Sequence, residues 1–311
     1  MDKCNYLSIG GAGTRGIVYV GALHAIEDQF ERTYNMSYEA WRDKLKGVVG
    51  TSAGAIIALF VLLGTDRSIR KKYVEILTNM QHLIPCPDLG LLVSYYGVEN
   101  GNTFKELIQE LLKESGLSPD STLGDLKRLL RKQYICIATN LHTSTRVLLS
   151  SDTDPHLRVC DAVYMSCCVP FVFQPFAYNG DLIVDGCLTC NEPDVFPPEE
   201  TTSWSVTTND PHKDIHNLPA FVQSIVYCSI FAQTRKGRGK DLVEFALDTS
   251  LSSCPAFDFH MNTGLATSFY NFGYAYMLDI MLSEKITKTI QLILLKVIQT
   301  LMGVLQEGEM F

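Results

Sequence analysis

The chain has 311 residues, 46% of them hydrophobic, which is ample for a core in one large domain or two modest ones and excludes a disordered chain. A formal net charge of -8 argues against a general nucleic-acid binder, because phosphate contacts need a basic surface. The ten cysteines follow no framework spacing, and Met1-Asp2-Lys3-Cys4-Asn5 carries no secretory signal, so free thiols in a reducing, intracellular setting are expected.

Tyr6 to Ile9 is a short β-prone run that stops at Gly10-Gly11-Ala12-Gly13-Thr14-Arg15-Gly16. A helix follows, with Ile17, Val20, Gly21, Leu23, His24 and Ile26 as apolar or small faces. Strand, glycine loop and helix in this order gather backbone N–H groups where an anion can bind. Gly11-x-Gly13-x-x-Gly16 also matches the dinucleotide fingerprint, which asks for an acidic residue ending a second strand about twenty residues on. Glu31 to Ser37 occupies that place and is polar, not strand-like. An oxyanion-binding role for Gly11, Ala12, Gly13, Thr14, Arg15 and Gly16 is therefore favoured over the nucleotide reading, with a merely flexible helix entry as the plain alternative.

Lys46 to Leu63 reads as a buried strand, a tight corner and an apolar helix. Its Gly50-Thr51-Ser52-Ala53-Gly54 fits the G-x-S-x-G pattern, in which small neighbours let strand and helix pass closely and leave a serine hydroxyl exposed. The helix N-terminus adds partial positive charge beside that oxygen. Small-residue corners also arise from packing alone, so the pattern needs support from the rest of the chain.

Asp66 to Met80 is predicted helical, and Pro85 and Pro87 then break the chain. Leu89 to Val98 is apolar and aromatic, either lining a cleft or packing. Thr103 to Lys113 is an amphipathic helix, and Ser121 or Thr122 caps the next. Tyr134 to Asn140 is a buried strand with Thr145 to Ser150 as its partner; Asp161 to Cys168 is helical; Leu182 to Val184 is a strand delivering Asp185-Gly186 into a loop. This alternation predicts an α/β sandwich with a mainly parallel central sheet and ligand sites at the C-terminal edge of its strands.

Beyond Val195 the pattern weakens. Pro197 to Glu200 and Asn209 to His212 are loop-like, and His212-x-x-x-His216 has metal-compatible spacing only in a helix that Pro211 and Pro219 discourage. Cys187-x-x-Cys190 is a lone cysteine pair, either a zinc or redox pair or a coincidence within a loop. Ala220 to Ala232 is an apolar helix, and Arg235 to Lys240 is a basic loop, a solvated turn or a contact for anionic lipid. Ile286 to Leu305 forms an amphipathic helix, with Ile286, Ile290, Ile293, Val297, Leu301 and Val304 on one face, suited to core or partner packing or to an interface and not to spanning a membrane.

The glycine loop, the Ser52 corner and Asp185-Gly186 occur in the order of the patatin-like phospholipase family, which the chain resembles over residues 5–195; Ser166 to Pro175 resembles that family's small-residue stretch leading to P-x-x-F-x-P. The resemblance implies a three-layer α/β sandwich; residues 196–311, beyond it, are expected to pack on the same domain as a helical C-terminal extension ending in the amphipathic helix near 284–306. It implies a dyad of Ser52 as nucleophile and Asp185 as proton acceptor, an oxyanion hole from the glycine loop, and no metal or cofactor. The implied activity is a calcium-independent lipid acyl hydrolase of phospholipase A type, acting on phospholipid or another acyl lipid, soluble or peripherally bound to membrane. An acyltransferase on the same dyad and a catalytically degenerate lipid-binding module are the alternatives. A Ser–Asp–His triad drawing on His212, His216 or His260 is allowed by chain order but disfavoured by the early serine. The chain departs from the family pattern twice: Cys187 follows Asp185-Gly186 where the family usually has glycine or alanine, and Leu188-Thr189-Cys190-Asn191-Glu192-Pro193 only loosely resembles the usual apolar, asparagine-containing continuation.

Overall fold

The computed structural model describes residues 3–78, 89–208, 241–252 and 261–308, with 215, 221, 224, 225, 228, 229 and 254 between them. Met80, the breaks at Pro85 and Pro87, His212, His216, His260, the basic loop and most of the helix expected over 220–232 lie outside the described residues.

Eight strands form the main sheet: β1 (Tyr6–Ile9), β2 (Gly47–Thr51), β4 (Gln133–Asn140), β5 (Thr145–Ser150), β7 (Phe176–Tyr178), β8 (Asp181–Asp185), β9 (Thr201–Thr208) and β10 (Asp241–Leu247). Their order is β10-β9-β1-β2-β4-β8-β7, with β5 also on β4. From β10 to β4 every pairing is parallel; β5 and β8 run antiparallel to β4, and β7 antiparallel to β8. A separate pair joins β3 (Gly97–Glu99) to β6 (Phe171–Phe173).

The helices are α1 (Ile17–Tyr34), α2 (Tyr38–Lys44), α3 (Ala53–Leu63), α4 (Arg67–Thr78), α5 (Leu89–Tyr95), α6 (Asn102–Glu114), α7 (Leu123–Leu130), α8 (Val159–Cys167), α9 (Thr249–Ser252) and α10 (Thr263–Gly308). Each strand sends alternate residues to opposite faces. Leu7, Ile9, Val48, Cys136, Ala138 and Trp204 enter the large core with α1, α3 and α8, whereas Val49, Ile135 and Ile137 pack with Cys190 and Phe196 from the segment after β8. Helix α3 is buried on nearly all sides, which explains its uniformly apolar Ala-Gly-Ala-Ile-Ile-Ala-Leu-Phe-Val-Leu-Leu sequence, and Gly64 closes it in the left-handed conformation. Thr122 caps α7 in a reciprocal pair with Asp125.

Two regions differ from the sequence expectation. The residues after 195 contribute β9 and β10 to the sheet, and β9 lies directly against β1. The last helix begins at Thr263, well before the predicted 284, because its first half packs along α1. No helix among the described residues is long and apolar enough to cross a membrane.

Candidate active site

Strand register brings Ser52 and Asp185 together. Thr51 pairs with Ile137, so Ser52 follows at the level of Ala138, and Asp185 pairs with Ala138 from the other side of β4. The strand between the two residues carries only a methyl group there. Ser52 Oγ donates to Asp185 Oδ2 at 2.7 Å, joining positions 133 residues apart in the chain.

Ser52 sits between β2 and α3 at φ 53°, ψ -127°, a conformation that non-glycine residues rarely adopt. The corner closes only because its flanks are bare: a Cβ on Gly50 would lie 2.3 Å from Gly54, and one on Gly54 would lie 2.3 Å from the Ile9 carbonyl oxygen. Ser52 N–H donates to Ser166 Oγ at 3.0 Å, and Ser166 Oγ donates in turn to the Ile137 carbonyl at 2.6 Å. Thr51 Oγ1 fastens the corner from the other face by donating to the Cys190 carbonyl at 2.9 Å. Ala53 begins α3.

Asp185 is fully buried, while Ser52 keeps 5% of its surface exposed. Burial pushes the Asp185 carboxyl up from 3.8 to about 6, opposed by the Cys187 N–H at 2.8 Å from Oδ1, the Ser52 hydroxyl and the Cys187 thiol. The thiols of Cys167, Cys168 and Cys187 around this carboxyl are themselves driven upward, first by burial and then by its charge. They surround Asp185 as neutral groups at ordinary pH. Gly186 lets the turn after β8 lie against the Ile137 carbonyl, which a Cβ would approach to 2.2 Å. Thr139 Oγ1 holds the Asp185 carbonyl at 2.9 Å.

The glycine loop lies beside this corner because β1 and β2 are parallel neighbours. Gly11 N–H donates to the Asn191 carbonyl at 3.0 Å, so in this structure that donor is already engaged. Ala12 precedes the short 3₁₀ turn Gly13–Gly16, and Gly13 stands at φ 58°. Thr14 is buried, and a Cβ on Gly16 would meet Ala53 Cβ at 3.0 Å, so the turn packs against the start of α3. The buried Arg15 guanidinium donates to the carbonyls of Ser252 and Cys254. Ser52 N–H is engaged by Ser166.

Cys187 and Cys190 do not act as a pair: Cys187 faces Asp185, whereas Cys190 Sγ lies 3.4 Å from the Glu192 carbonyl and 3.5 Å from Arg146 Nη1. Among the described residues no three His, Cys, Asp or Glu side chains converge as a metal site. The most buried described histidine, His24, is held by Tyr270 at 2.7 Å and Arg70 at 3.2 Å, within the α1, α4 and α10 contact. Ser166, Thr139 and Asn191 were missed as site residues by the sequence reading. Two of them left a signal there: Ser166 opens the small-residue stretch before Pro170, and Asn191 lies in the segment that loosely resembles the family's asparagine-containing continuation.

The family model of patatin-like phospholipases matches residues 7–193, which takes in the loop, the corner and the aspartate. The chain belongs to the patatin-like phospholipase family. Among its relatives, the Bacillus subtilis protein YqhO is 30% identical over 201 residues, covering 59% of this chain and 63% of that protein. A probable lipid hydrolase, 463L, of Invertebrate iridescent virus 6 is 24% identical over 192 residues, 60% of this chain and 61% of its own. The chain thus spans less than two thirds of the length of these relatives. The structure of VipD from Legionella pneumophila shares the fold, with a TM-score of 0.59 at 17% identity over 91% of this chain and 67% of VipD.

Proposed function

We propose that the protein is a serine-dependent lipid acyl hydrolase of phospholipase A type. The observation that carries this reading is the 2.7 Å bond from Ser52 Oγ to a buried carboxylate, made at a strained strand–helix corner. Asp185 takes the hydroxyl proton as Ser52 Oγ attacks the ester carbonyl of a phospholipid or related acyl lipid. Backbone N–H groups between Ala12 and Gly16 hold the resulting oxyanion, a contribution of roughly 3 kcal/mol per donor in enzymes of this kind.

Collapse of that intermediate breaks the ester C–O bond. The leaving alcohol takes the proton from Asp185, and the acyl group stays on Ser52. Water then attacks the acyl-enzyme, again giving its proton to Asp185, and the second collapse frees a fatty acid and restores the Ser52 hydroxyl. A carboxyl near pH 6 suits this shuttle, being charged at neutral pH yet basic enough to accept a proton. No metal is required by these steps. Exposed Tyr95, Tyr96 and Phe171 around the β3–β6 pair supply an apolar rim where the protein meets the lipid surface.

A fluorophosphonate probe tests the nucleophile. The wild type is expected to be labelled on the peptide containing Ser52 and the Ser52→Ala variant not at all; equal labelling of both would remove Ser52 from the mechanism.

A further inference from the structure

The residues beyond 193 lie outside the family match, yet they grip the glycine loop. Arg15 is 4% exposed, and its Nε donates to the Cys254 carbonyl at 3.1 Å while Nη2 donates to the carbonyls of Ser252, at 3.2 Å, and Cys254. Ser252 ends α9 and Cys254 lies just beyond it, both more than 230 residues along the chain from the loop. The guanidinium is a planar fork of fixed geometry, so multiple bonds from one buried Arg fix the direction of its backbone as well as its place.

The helix that leaves the loop is held by the same region. A Cβ on Gly21 would lie 2.0 Å from the Tyr270 carbonyl oxygen, and one on Gly273 would lie 1.9 Å from the Val18 carbonyl oxygen, so α1 and α10 touch backbone to backbone at reciprocal glycines. Tyr34 and Glu284 at 2.7 Å and Tyr274 and Asp28 at 3.0 Å extend the contact along both helices. A loop with glycines at 10, 11, 13 and 16 has wide conformational freedom of its own, whereas oxyanion donors stabilise a transition state only when held in place beforehand.

We propose that Arg15 is a positioning residue and that the carbonyls of Ser252 and Cys254 are the part of the C-terminal region that holds the glycine loop in its donor-presenting shape. The proposal rests on the reading of that loop as the oxyanion hole. It gives the C-terminal region a catalytic consequence without any contact to substrate, and it assigns the Arg15 guanidinium to the protein's own backbone and not to a lipid phosphate.

The test compares full-length wild type, Arg15→Lys and Arg15→Gln. With a short-chain p-nitrophenyl ester, which has no phosphate, kcat is expected to fall about 100-fold in Arg15→Gln with KM within twofold, on the scale of losing one oxyanion donor. Arg15→Lys keeps the charge without the fork, serves as the milder variant should Arg15→Gln fail to fold, and is expected to fall in between. Hydrogen exchange read by mass spectrometry gives a second readout, in which amides of residues 10–17 exchange at least about tenfold faster in both variants while β2 and β4 stay protected. Unchanged exchange in the loop overturns the proposal, as does a loss confined to KM for phosphate-bearing substrates. Should the wild type cleave no ester, the hydrolase reading falls while loop exchange still decides whether Arg15 holds the loop.

Discussion

Asp185→Asn should make the protein more stable and inactive at once. The carboxyl is fully buried and pushed from 3.8 up to about 6, with burial the largest cause. At about 1.4 kcal/mol per unit, the shift amounts to about 3 kcal/mol lost from the folded state when the group is charged. The sign follows from the two states. Below pH 4 the carboxyl is protonated in both the folded and unfolded chain and costs nothing. Between 4 and 6 the unfolded chain loses its proton first, and above 6 the whole penalty is present. The amide should keep the local bonds, with its oxygen accepting the Cys187 N–H and its NH₂ donating to Ser52 Oγ in place of the present acceptor. Urea melts of wild type and Asp185→Asn at pH 4 and pH 8 isolate the effect, since other groups titrate alike in both. We expect the variants to match at pH 4 and Asp185→Asn to be more stable by about 2 kcal/mol at pH 8, with ester turnover at least about 100-fold lower. Parallel curves, or a less stable Asn variant at pH 8, would refute the burdened-carboxylate account.

The same carboxyl predicts that kcat/KM falls on the acid side with a midpoint near pH 6, because Asp185 accepts a proton only when charged. Cys187→Ala removes a thiol bonded to that carboxylate and should move the midpoint upward, whereas Cys187→Ser should restore it; a pH–rate series distinguishes the two. Ser166→Ala leaves the buried Ser52 N–H without its acceptor and should lower kcat about tenfold with KM little changed, as steady-state kinetics would show. Gly54→Ala forces a Cβ to 2.3 Å from the Ile9 carbonyl and should lower stability by about 3 kcal/mol, measured by urea unfolding.

The corner and the strands around it were legible because their signals are local. Gly50 and Gly54 bracket Ser52 within five residues, and Tyr134 to Asn140 is a continuous buried run whose partner follows across a short turn. The Ser52–Asp185 contact was legible only through family resemblance, since no local pattern reports a register that meets at Ala138. Strand β9 was missed because Thr201 to Thr208 is rich in hydroxyls and its apolar alternation is limited to Trp204 and Val206. Trp204, with the partly buried Val206 two residues on, anchors it in the large core beside Tyr19 and Phe245, while Ser203 and Ser205 share the small cleft lined by Ser8 and Pro193. The first half of α10 was hidden for another reason: Gly273 weakens it as an isolated helix, and only its close approach to the Val18 backbone explains the glycine. From the sequence Arg15 fits a phosphate-facing cation and an anchor of the loop equally well, until Ser252 and Cys254 are placed beside it.

Fatty-acid release from a panel of labelled phospholipid vesicles, run without calcium on wild type and Ser52→Ala, tests the central claim most directly. The account predicts release by the wild type from at least one lipid and none above background by Ser52→Ala, with both proteins equally folded by circular dichroism. Release by Ser52→Ala at the wild-type rate, or a folded wild type that cleaves no lipid in the panel, would contradict it.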